Sequence, residues 1–182
     1  MTSPQDEVPN ILYLDSHLIA VCKPAGMLTQ ADDSGDESLM DQVKAWIKTE
    51  FNKPGNVFLG LIHRLDRNVS GVLLFARTSK GASRLSEQFR DKTTEKFYRA
   101  IVEGQPGQEQ ASLYHHLRKE KTLKSTVFPR PGKDTQHAEL EYKTLKNYAS
   151  TRLLEIKLHT GRFHQIRAQL AFIGHPILGD KK

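Results

Sequence analysis

Two periods of apolar spacing run along this chain, one of about 3.6 residues and one of two, and they predict alternating helices and strands. Residues 11–14 and 18–22 are short apolar runs split by Asp15-Ser16-His17, the pattern of a β-hairpin. Lys23-Pro24-Ala25-Gly26 ends the second run, since proline and glycine both interrupt regular structure. Ser38-Leu39-Met40-Asp41 has the form of a capping box, and Leu39, Val43, Trp46, Ile47 and Phe51 then recur at helical spacing. A helix is predicted over 38–51, with Trp46 as a core residue rather than a base-stacking platform. Val72-Leu73-Leu74-Phe75-Ala76 is short, β-branched at its start and bounded by turn residues, so it reads as a buried strand. A second helix is predicted over 79–91, with Ala82, Leu85 and Phe89 on one face, followed by a strand within 93–103.

Residues 104–136 are the least regular stretch, with a short strand or hairpin arm expected within 117–127. Beyond it, Ala138-Leu140-Tyr142 and Leu154-Ile156-Leu158 alternate with charged residues, as half-buried antiparallel strands do. A last helix is expected from about Arg162, with Ile166, Leu170 and Ile173 on one face and Gly174 as its stop. The expected fold is α+β: one domain over residues 11–182, behind a polar lead-in at 1–10, with a mixed, largely antiparallel sheet and flanking helices. A cleft should run along the sheet.

Composition narrows the function. At 182 residues with 37% hydrophobic residues the chain can bury a core, and its net charge of +6 favours an anionic partner, nucleic acid first. The single cysteine, Cys22, excludes an internal disulfide framework and fits a reducing compartment. No apolar run reaches membrane-spanning length, and the start MTSPQDEVPN is polar and acidic, so a cytoplasmic protein is expected. The eight histidines do not form a zinc pattern with Cys22, and no phosphate-binding or dinucleotide glycine motif occurs. The histidines are therefore read as non-metal.

Candidate chemistry concentrates in LIHRLDRNVSGVLLFAR, residues 61–77. Asp66 stands between Arg64 and Arg67 and feeds directly into the buried strand. A rigid strand supports a reactive side chain on the loop before it, although a surface ion pair is the commoner fate of Arg-x-Asp. Lys23 could meet a phosphate at its turn or simply be solvated. Tyr98 alternates with Phe97 onto the opposite face of its strand. Arg162, His164 and Arg167 would gather at a helix N-terminus and favour an anion. The basic stretch holding Arg118, Lys119, Lys121, Lys124, Arg130 and Lys133 could clamp a phosphate backbone.

Four motifs in order go beyond local chemistry. His63-Arg64-Leu65-Asp66 with Ser70-Gly71 resembles the HRLD-x-x-T-S-G motif of the RluA-type pseudouridine synthases. Residues 161–167, GRFHQIR, running to GHPILGD at 174–180, resemble their GRTHQIR…GHPLLGD motif. Lys96-Phe97-Tyr98-Arg99-Ala100 resembles the K-x-Y-x-A strand between them, and Lys23-Pro24-Ala25-Gly26 the early K-P-A-G turn. Val69 and Phe163 stand where the family usually has threonine, and Gln169 where a histidine is common. The chain ends soon after Gly179-Asp180, where relatives usually continue, and the small N-terminal RNA-binding domain of many relatives is missing, so a short or truncated member is expected.

The resemblance implies isomerisation of a uridine in ribosomal or transfer RNA to pseudouridine, with no metal or nucleotide cofactor. No heptad pattern or obvious sticky helix suggests more than a monomer, and no obligate protein partner is expected. The resemblance makes Asp66 the carboxylate at the sugar, either attacking the anomeric carbon or removing a sugar proton, and Arg167 the cation that keeps it ionised. Tyr98 offers the uracil an aromatic face, and its hydroxyl could take the C5 proton. Arg64 fills the space left by the flipped base. Ile166 is an apolar wall of the pocket, while Lys23, Arg162, His164 and the basic stretch hold RNA. Two other readings compete. A non-catalytic RNA-binding domain of the same fold would not need Asp66, and a metal-dependent phosphodiesterase would need clustered carboxylates that the sequence lacks.

Overall fold

The computed structural model describes residues 8–180, so most of the expected lead-in lies outside the described residues. The chain divides into two compact units, Met1–Thr93 and Thr94–Lys182, each with its own sheet.

In the first unit, β1 (Ile11–Leu14) and β2 (Leu18–Lys23) form the predicted hairpin. Asp15 closes it: its carboxylate accepts the backbone N–H groups of His17 and Leu18, each at 2.7 Å. Helix α1 (Leu39–Glu50) follows, then β3 (Gly60–Leu61), β4 (Gly71–Ala76) and α2 (Ser79–Arg90). The sheet order is β1-β2-β4-β3, with antiparallel ladders. Ile19 and Val21 of β2 and Leu73 and Phe75 of β4 share one face by the two-residue period. Against them pack Leu39, Val43 and Ile47, spaced one helical turn apart on α1. Each side chain of this size contributes about 1.5–3 kcal/mol on full burial. Trp46 packs at the edge of this cluster. Helix α1 starts where the capping box predicts. Ser38 Oγ accepts the Asp41 N–H, and the Asp41 carboxylate accepts the Ser38 N–H and O–H.

In the second unit, the order β5-β9-β8-β6-β7 is built from β5 (Phe97–Glu103), β6 (Gln110–Lys119), β7 (Ser125–Phe128), β8 (Gln136–Asn147) and β9 (Thr151–Leu158). All four ladders are antiparallel. Val102, Leu140, Tyr142, Leu154, Ile156 and Leu158 form the core face, and α3 (Gln165–Phe172) covers it with Leu170. Gly174, at φ +85°, ends the helix in the left-handed conformation that glycine adopts freely. The chain then returns along β5: the Glu103 N–H donates to Pro176 O at 2.9 Å and the Leu178 N–H to Ile101 O at 2.8 Å.

The α+β class and the antiparallel strands are as expected, but the strands form two sheets rather than one. Residues 104–136 are also more regular than their sequence suggests. Ten of them form β6, where Ala111, Leu113, His115 and Leu117 alternate inward. Histidine in that alternation hides the period of two.

The single tryptophan reports on α1, which makes its cap testable. Replacing Ser38 with alanine should lower the stability read by Trp46 fluorescence in urea by about 1 kcal/mol. An unchanged midpoint would show that the cap contributes nothing.

Candidate active site

The Asp66 loop lies between β3 and β4, and neighbouring residues are tied down on both sides of the carboxylate. Leu65 packs against the first core cluster. Its N–H donates to Thr29 Oγ1 at 3.3 Å, and its carbonyl accepts the Thr29 hydroxyl at 2.8 Å. Arg67 is held as firmly. Its carbonyl accepts the Gly26 N–H at 2.8 Å, while its Nε donates to Gly26 O at 2.9 Å. Asp66, half-buried, is the residue between these two anchors. Its carbonyl accepts the Val69 N–H at 3.0 Å, closing a turn that returns the chain to β4. At the start of β4, Gly71 takes φ +146°, a region unfavourable to other residues.

Lys23 completes the clamp. It is fully buried, and its ammonium donates to Met27 O at 2.7 Å and to Pro24 O and Arg67 O at 3.0 Å each. Burial pulls its pKa below the usual lysine value, while the nearby charge of Asp66 acts to raise it. This corrects the expectation that Lys23 meets a phosphate. All three donors already have carbonyl partners, and the side chain braces the Asp66 loop instead.

His63 anchors the same loop from the strand side. β3 pairs only two residues of β4, and the His63 Nε2 accepts the next free amide, that of Leu74, at 3.1 Å. This contact requires the proton on Nδ1. The ring also stacks on Phe89 of α2 at 5.2 Å. Nothing in the local sequence distinguished this histidine from a solvated one.

Arg64 is exposed, and it and Arg67 lower the Asp32 pKa through space after the hydrogen bonds from Ser34. Arg67 Nη2 forms an ion pair with Asp36 at 2.7 Å. The segment from Ile62 to Asp66 belongs to no strand.

The remaining candidates lie on the second unit. Tyr98 is half-buried and opposite Phe97, on the side of β5 that carries Ala100 and Val102. Ile166 packs at the margin of the second core. Arg162 Nε donates to His137 O at 2.8 Å. Arg167 Nε and Nη2 form a two-pronged ion pair with the carboxylate of Asp180. Such bidentate pairing fixes the guanidinium plane as well as its charge. Asp180 is thus a partner that sequence reasoning quoted only as part of a motif.

Helix α3 begins at Gln165, three residues later than expected. His164 precedes it at φ 51°, ψ 31° and so does not lie on the helix face with Arg167. The cause is Gln165, which is buried and fully bonded. Its Oε1 accepts from Thr160 Oγ1 at 2.8 Å and from the Arg162 N–H at 2.9 Å. Its Nε2 donates to Glu139 O at 3.1 Å and to Gln169 Oε1 at 3.0 Å. Gln169, also buried, donates to His115 Nδ1 at 3.0 Å and to Leu113 O and Ala138 O at 3.3 Å. This polar ladder seats α3, and with it Arg167, on β6 and β8. Burial, and secondarily the charge of His116, lower the His115 pKa.

Among the described residues no group of three or more histidine, cysteine or carboxylate side chains is arranged to hold a metal. Nor is any helix long and apolar enough to cross a membrane.

The sequence profile of the RNA pseudouridylate synthase family matches residues 17–172. The chain is 31% identical over 181 residues to an uncharacterized RNA pseudouridine synthase of Aquifex aeolicus, covering 98% of this chain and 57% of that protein. It is 35% identical over 178 residues to ribosomal large subunit pseudouridine synthase D of Borreliella burgdorferi, covering 94% and 53%. Against ribosomal large subunit pseudouridine synthase C of Escherichia coli K12 it is 33% identical over 172 residues, covering 94% and 52%. The structure of human RNA pseudouridylate synthase domain containing 4 superimposes with a TM-score of 0.80 at 27% identity, covering 94% of this chain and 67% of that one. The chain belongs to the RNA pseudouridylate synthase family. It spans about half the length of these curated relatives.

Two predictions follow from these local networks. Lys23→Met should leave the carbonyls of Pro24 and Met27 without the ammonium, at a cost of about 1–3 kcal/mol in urea unfolding. A variant as stable as wild type would show that the clamp contributes no stability. For His115, the unfolded chain takes up a proton at about pH 6.5 while the folded form still resists it. Stability should therefore fall as pH drops below that value, and His115→Leu should flatten this part of the profile of thermal midpoint against pH. Parallel profiles would contradict the assignment.

Proposed function

We propose that this chain is the catalytic part of an RNA pseudouridine synthase that isomerises specific uridines in structured RNA. The observation that carries the proposal is the double anchoring of Leu65 and Arg67, which fixes an acid on a basic protein's loop. A non-catalytic RNA-binding domain gains nothing from a carboxylate on a loop braced in this way, because an acid repels phosphate.

In the reaction the N1–C1′ bond breaks, the uracil turns, and a C5–C1′ bond forms. C5 then loses its proton and N1 gains one, so the product is an isomer of the substrate. Positive charge develops on the sugar as the first bond breaks, and Asp66 is proposed to meet it there. Its carboxylate would either bond to C1′ or remove a sugar proton. Tyr98 is proposed to face the uracil, with its hydroxyl available for the C5 proton. Arg167, oriented by Asp180, is proposed as the site's cation, and Ile166 as an apolar contact. Arg64 is exposed, as a side chain filling the gap left by a flipped base must be. Arg162 and His164 are proposed to contact RNA, whereas Lys23 acts through the loop it braces.

The ribosomal large subunit synthases among the relatives favour ribosomal RNA over transfer RNA as the substrate. The proposed setting is the cytoplasm, with the protein working as a monomer and without an obligate protein partner.

The test uses RNA carrying tritium at uridine C5, since forming the new bond releases that tritium to water. Wild-type protein should release it without added metal or nucleotide. Asp66→Asn should lower the rate by about 10³-fold or more while RNA binding persists. Equal release by the two proteins, or none by wild type, would contradict the proposal.

A further inference from the structure

Phe163 stands between two groups of the proposed RNA-binding surface, Arg162 and His164. Its ring is partly exposed and stacks on the His164 imidazole, centroid to centroid 3.8 Å at 26°. The ammonium of Lys119, an exposed residue at the end of β6, lies 4.7 Å from the centre of the same ring. With imidazole on one face at van der Waals distance, that ammonium covers the other. The backbone beneath is fixed, because Ser125 Oγ, at the start of β7, donates to the Phe163 carbonyl. A rigid aromatic ring is therefore capped by the end of one long, solvated side chain. Lys124 lies on the same hairpin, one residue from Ser125.

We propose that Phe163 is a stacking seat for one unpaired nucleobase of the bound RNA, next to the target uridine, with Lys119 as its movable cover. The proposal rests on the RNA-synthase reading and adds a substrate contact to it. As the base arrives, the Lys119 ammonium swings from the ring to a neighbouring phosphate, and the base takes its place on the free face. A cation on an exposed aromatic face contributes little, about 0.5–1 kcal/mol. A base on such a ring contributes more, and without preference for one base because each has a flat apolar face. His164 backs the ring and keeps its plane fixed, and its left-handed backbone conformation is what turns the imidazole onto Phe163 rather than along α3.

Binding of a fluorescent single-stranded oligoadenylate, and of an abasic oligoribose phosphate of equal length, separates stacking from charge. Phe163→Leu should weaken oligoadenylate binding by about 5- to 150-fold and leave the abasic probe unaffected. Phe163→Tyr should restore binding. The slope of log affinity against log salt should be unchanged in Phe163→Leu but shallower by about 0.7 in Lys119→Gln, the change for one phosphate contact on a single strand. Equal oligoadenylate affinity for wild type and Phe163→Leu, with both folded by circular dichroism, would overturn the proposal. So would wild type holding the abasic probe as tightly as oligoadenylate. Tritium release by wild type, measured separately, shows whether the synthase reading itself fails, because the binding comparison does not depend on turnover.

Discussion

A buried ammonium organises the first unit. Lys23 ends β2, and its partner across the ladder, Gly71, begins β4. One rung of the sheet therefore sets both the residue that braces the Asp66 loop and the point where that loop rejoins the core. Taking a cation out of water is costly unless its hydrogens are matched, and here three carbonyls match them. Two of those carbonyls belong to the turn after β2 and one to the loop after β3. Withdrawing the ammonium would thus remove one tie that both segments share. Asp66 gains its fixed position without being part of a helix or strand.

The second unit reaches the same end by neutral groups. Gln165 and Gln169 lie one helical turn apart on the buried face of α3, where a residue pair of this spacing would ordinarily be apolar. Amides in those positions bind the carbonyls of β6 and β8 in particular places, which apolar contact alone would not specify. Arg167, two residues on from Gln165, then meets Asp180, and Asp180 is in place because residues 176–178 run back along β5.

Much of this was legible from residue patterns. Leu39, Val43 and Ile47 disclosed α1, and the alternation of Leu154, Ile156 and Leu158 disclosed β9, because one buried face leaves a periodic trace. Asp66 was legible as an acid between arginines feeding a buried strand, and the family motifs supplied the part it could play. What stayed hidden depended on partners distant in sequence. Lys23 looks like any lysine until Arg67, 44 residues later, offers it a carbonyl. His63 looks solvated until Leu74 is left with a spare amide. The late start of α3 was hidden because Gln165, polar and apparently ordinary, folds its own side chain back onto the preceding turn. The regularity of β6 was masked by His115, a polar residue occupying an inward position.

The central claim is that this fold delivers Asp66 to the sugar of particular uridines. It is tested most directly by treating unmodified transcripts of large-subunit ribosomal RNA with the wild-type protein and locating carbodiimide adducts that survive alkali by primer extension. The account predicts stops at one or a few discrete uridines, absent from untreated transcript. A transcript bound by the protein yet free of such stops, with transfer RNA transcripts equally blank, would contradict it.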